Sequence, residues 1–147
     1  MKNRYLIFFF LLLYLSCSNS NKPRGSNSNI LAYYNTFYTS EKSFHEALSI
    51  IQEYNDDDDE ISDQVVLLLN EAIENALIIE ERFSQTKYLD DAYYILGRSS
   101  YLFDRITASN YYFNRLINEF PKSDLYMESF IWVGYIKLKI GKIDEAK

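Results

Sequence analysis

Two glycines and two phenylalanines set the frame for this chain. Gly97 and Gly134 lie 37 residues apart, and so do Phe83 and Phe120. At the same offset Ile79 meets Leu116, Thr86 meets Ser123, Tyr93 meets Phe130 and Leu96 meets Val133. Recurrence of residue type at one fixed period marks a supersecondary unit that buries its apolar side against its neighbour. Within the units apolar residues return at three and four: Val65, Leu68, Leu69, Ala72, Ile73, Ala76, Ile79 and Phe83 follow one broad helical face. From Ile30 onward there are no alternating β-branched runs bounded by turn pairs, and Pro121 falls between two periodic stretches, where a helix must end. The expectation is an all-α chain.

The start signals divide it further. Ser43-Phe44-His45-Glu46 has the form of a capping box, with Ser43 capping and Glu46 reaching back. Thr86, Thr107 and Ser123 stand where caps belong before later apolar runs. The pattern predicts helices near 29–39, 43–54, 61–83, 87–103, 107–120 and 124–140, and another opening at 143. Apolar residues make up 48% of the 147, with 14 Tyr and 10 Phe, so a packed core is available to these helices.

The N-terminus reads as an export signal. Lys2 and Arg4 precede an unbroken apolar run from Tyr5 to Leu15, too short for the roughly 20 residues that span a hydrocarbon core, and small residues follow. Leu15-Ser16-Cys17 resembles the lipobox of bacterial lipoproteins, although Tyr14 stands where that pattern prefers Leu. This resemblance implies cleavage after residue 16 and acylation of Cys17, whose several chains would hold the protein on a membrane. The alternatives are an ordinary signal with a chance cysteine, or an uncleaved anchor. Losing residues 1–16 removes Lys2 and Arg4, leaving 13 basic against 21 acidic groups and a net charge of −8. Residues 17–29 then form a lipidated Cys17 and a Ser/Asn-rich flexible tether, and residues 30–147 the helical repeats.

Tyr93, Leu96, Gly97, Ser109, Phe113 and Pro121 stand at the spacings of a tetratricopeptide repeat. Phe130, Val133, Gly134 and Ala146 follow in the next unit, and Leu31, Tyr34, Asn35, Tyr38 and Ala47 in the first. Ser100, Lys137 and Leu116 depart from the family's preferences, and 37 exceeds its usual period of about 34. The resemblance implies a right-handed α-solenoid of antiparallel helix pairs, in which the small residues admit a close helix approach and Pro121 stops a helix. The phrases FSQTKYLDDAYYILG and INEFPKSDLYMESFIWVG, with the lipobox and the acidic body, are similar to outer-membrane assembly lipoproteins of the BamD type. In this repeat class the first helix of each pair lines a concave groove for peptide partners. That implies a groove of Asp91, Tyr94, Arg98 and Tyr101, then Glu128, Ile131, Tyr135 and Leu138. Apart from these, most Tyr and Phe at three/four spacing are expected in the core.

Catalytic chemistry finds little footing. One cysteine cannot make an internal disulfide, and one histidine leaves little for metal or acid/base work. Asp56-Asp57-Asp58-Asp59-Glu60 has no Gly for the sharp turn of a calcium loop and reads as a solvated inter-helix loop. His45-Glu46 lacks the second His of a zinc-protease motif, which leaves His45 on a helix surface. Neither Gly-x-Ser-x-Gly nor a Gly-rich phosphate loop occurs. A net charge of −6 repels phosphate backbones. The expected protein is non-enzymatic, without cofactor, metal, nucleic acid or small-molecule substrate. It is expected on the periplasmic side of the outer membrane as a scaffold for other envelope proteins or peptide segments. Residues 135–147 finish one helix and open another, so the alternative is an anchor and docking module of a longer protein. That protein would be a secretion or motility-complex subunit, or an enzyme with its catalytic domain beyond residue 147.

Overall fold

The computed structural model describes residues 32–53 and 61–141. The expectations for the signal peptide, Cys17 and its tether, Leu31, the acidic run at 56–60, the helix opening at 143 and Ala146 lie outside the described residues, as does the side chain of Tyr34.

A π-helical segment, Ala32–Phe37, runs without a break into α1, Tyr38–Glu53. Then come α2, Asp63–Arg82, α3, Leu89–Leu102, α4, Ile106–Glu119, and α5, Tyr126–Lys139. No strand occurs among the described residues, so the chain is all-α there. Each helix packs on the next, α1 on α2 through to α4 on α5, and α1 also touches α3.

The 37-residue period is present in the backbone. Helices α3 and α5 begin 37 residues apart and end 37 residues apart, and α2 and α4 end at Arg82 and Glu119. The turns after them carry matching hydrogen bonds. Phe83 N–H donates to the Ile79 carbonyl and Phe120 N–H to that of Leu116; Thr86 N–H donates to Phe83 O and Ser123 N–H to Phe120 O. After α3 and α5 the chain turns through left-handed residues, Asp104 (φ 56°) and Gly141 (φ 77°), again 37 apart, whose N–H groups donate to Tyr101 O and Leu138 O. That region costs a side chain little only at Gly, and Asn or Asp tolerate it next best.

Burial follows the same register. Ala72, Ala76 and Ile79 of α2 are fully buried, as are Ser109, Phe113 and Leu116 of α4. Close approach is visible at Gly97 and Ser109, where small residues were expected, and also between Ser40 and Ala72. Ser109 Oγ donates to the Gly97 carbonyl at 2.8 Å, and Ser40 Oγ of α1 donates to the Ala72 carbonyl of α2 at 2.8 Å. The stripe predicted on α2 is the one it buries: Val65, Leu69, Ala72, Ala76 and Ile79 are inside, with Leu68, Ile73 and Phe83 packed at its margin. Helix α3 is enclosed from Ala92 to Gly97, because α2 and α4 both pack on it and α1 touches it.

Three local expectations are corrected. The predicted break between 39 and 43 is absent, and Ser43 is no cap. It lies buried in the interior of α1, where its Oγ donates to Glu71 Oε2 of α2 at 2.6 Å. A tertiary partner has taken the hydroxyl that a capping box would have used, and no Gly or Pro between Tyr38 and Ser43 breaks the helix. Tyr38 and Ala47 therefore share one helix instead of facing each other across a pair, and it is α1 and α2 that pack together. Thr86 and Thr107 do not cap either: the N-caps are Tyr88 and Arg105, neither with a side-chain cap bond. Nor is Ser123 the cap of α5: that place is taken by Leu125, without a side-chain cap bond, and Ser123 Oγ accepts from Leu125 N at 3.1 Å just before the helix, whereas Ser62 caps α2 by accepting from Val65 N at 3.4 Å.

Candidate functional site

The eight groove positions come from two helices that do not follow one another. Asp91, Tyr94, Arg98 and Tyr101 lie three or four apart on α3, and Glu128, Ile131, Tyr135 and Leu138 do so on α5, so each set shares a helix face. The structure joins the two sets. Tyr94 OH donates to Glu128 Oε1, and Arg98 Nη1 donates to Tyr94 OH at 2.9 Å while standing 3.6 Å from Glu128 Oε1. Burial pushes the Tyr94 phenol above its usual range, and its bond to Glu128 pushes it further, against the opposing pull of Arg98. The phenol stays a donor.

Trp132, a residue the groove pattern passed over, is the hub of this face. Its ring stacks on Phe113 at 6.1 Å, meets Tyr101 edge-on at 5.0 Å and lies 5.4 Å from Tyr135. The Arg98 guanidinium sits 4.0 Å over it, an arrangement that suits a delocalised cation on a π face. Lys139 closes the far end, 4.9 Å over Tyr101 and 2.6 Å from Asp104 Oδ1. Five of the eight expected residues (Tyr94, Arg98, Tyr101, Glu128 and Tyr135) thus belong to one cluster around Trp132. The signal for Trp132 was its position four residues after Glu128 on the same helix.

The remaining three are placed differently. Ile131 and Leu138 stand beside the cluster and, like Tyr135, are about half exposed. Asp91 belongs to another neighbourhood, facing Glu41 of α1 and its own neighbour Asp90. Burial pushes its carboxyl up to about 6, Asp90 and Glu41 add to the shift, and Lys87 opposes it.

A second cluster was not anticipated. Arg115 of α4 pairs with Glu80 of α2 and with Glu119 at 2.7 Å, and its guanidinium lies 4.3 Å over the Tyr93 ring. Tyr93 OH donates to Glu119 Oε2 at 3.4 Å, and burial raises its phenol. The i,i+4 spacing of Arg115 and Glu119 was visible in sequence; the long-range partner Glu80 was not.

The groups gathered on the α3–α5 face are aromatic planes, two paired cations, carboxylates and exposed aliphatics, which suit recognition of a polypeptide surface. Among the described residues no group of three or more His, Cys, Asp and Glu is placed to hold a metal, and His45 is exposed with its ring 5.7 Å from that of Phe44. No described helix is long and apolar enough to cross a membrane. No family model, curated protein or solved structure matches the chain.

Proposed function

We propose that the protein is a non-enzymatic envelope lipoprotein whose helices form a tetratricopeptide-like, right-handed solenoid that scaffolds protein–protein contacts. One observation carries the reading: Ile131, Tyr135 and Leu138 of α5 stand 53%, 52% and 49% exposed beside the Trp132 cluster. Contiguous exposed apolar residues at helical spacing, rimmed by Arg98, Glu128 and Lys139, have the character of an interaction surface. The 37-residue recurrence of helix ends, turns and buried positions supports the repeat reading. The lipobox-like Leu15-Ser16-Cys17 supports the anchor, with the tether of residues 17–29 holding the helices off the lipid surface. Assembly of outer-membrane proteins, as by lipoproteins of the BamD type, is the sharpest form of this role. Its test is in-cell photo-cross-linking from position 135, combined with fractionation of wild type and Cys17→Ala. Membrane recovery that depends on Cys17, with a discrete adduct to another envelope protein, is the expected result. Identical soluble behaviour of both forms without an adduct would refute it.

A further inference from the structure

We draw no further inference here: the strongest candidate, the apolar Phe130–Gly134 face of α5, carries nothing of its own, because the 37-residue period sets the chain's own residues from 143 onward over it, with Ala146 in the place of Ser109, and those residues lie outside the described ones.

Discussion

Gly97 lies under the ring of Phe113 so closely that a methyl group on it would stand 2.9 Å from the ring carbons, and Phe113 itself is fully buried. The ring cannot step aside, because Trp132 stacks on it and Tyr94 meets it edge-on. The glycine sets how near α3 and α4 approach, and that approach brings the Ser109 hydroxyl onto the Gly97 carbonyl.

Two identical substitutions should therefore have opposite effects. Gly97→Ala overpacks a closed interface and should destabilise by about 1–3 kcal/mol. Gly134→Ala, with no atom within 4 Å, should be neutral or stabilising by up to about 1 kcal/mol, since alanine is the better helix former. Chemical denaturation of the two variants beside wild type measures the difference.

The link between α3 and α5 runs through Tyr94, Arg98 and Glu128. Tyr94→Phe and Glu128→Gln should each cost about 1 kcal/mol, Glu128 being half exposed. The double variant should cost less than their sum, because either change alone breaks the bond that both share. Additive losses in a double-mutant cycle would place the two residues in separate interactions.

Asp91 gives the fold a pH dependence of predictable sign. Burial first, then Asp90 and Glu41, raise its carboxyl from 3.8 to about 6, while Lys87 opposes. Between those values the folded state holds a proton that the unfolded state has released, so this group's contribution to stability falls as pH rises from about 4 to 6 and stays low above that. Asp91→Asn should raise Tm at pH 7 by a few degrees and have little effect at pH 4. Thermal melts across pH 4–7 read the difference.

Arg115 joins α2 to α4 through Glu80 while its guanidinium covers Tyr93. Arg115→Lys keeps the charge but loses the planar face and the fork. It should still cost about 1–2 kcal/mol, against about 2–3 for Arg115→Ala. Equal stability of the Arg115→Lys variant and wild type in urea would show that charge alone matters there.

Much of this architecture was legible in the sequence because its determinants are local or periodic. The α2 stripe and the pair Phe83/Phe120 placed the ends of α2 and α4, and Gly97 placed the close approach of α3 and α4, whereas a Cβ added at Gly134 would meet no atom within 4 Å. What failed was local reading of groups with distant partners. Ser43 and Glu46 have the spacing of a cap, but Glu71, 28 residues on, holds the Ser43 hydroxyl inside one long helix. Thr86 preceded an apolar run as a cap would, yet its buried hydroxyl has no hydrogen-bond partner. At the candidate face, spacing found Tyr94, Arg98 and Glu128, but period alone could not show that Trp132 draws Arg98, Tyr101 and Tyr135 together, because its equivalent on α3 is Ile95.

The central claim is that α5 offers its exposed apolar residues to another protein and does not need them for folding. It is tested most directly by Leu138→Glu, which puts a charge on a half-exposed position of the candidate face. The expected result is a Tm within about 2 °C of wild type, as for a surface substitution, together with loss of the in-cell adduct formed from position 135. An unchanged adduct at unchanged Tm would show that the face is not where partners bind.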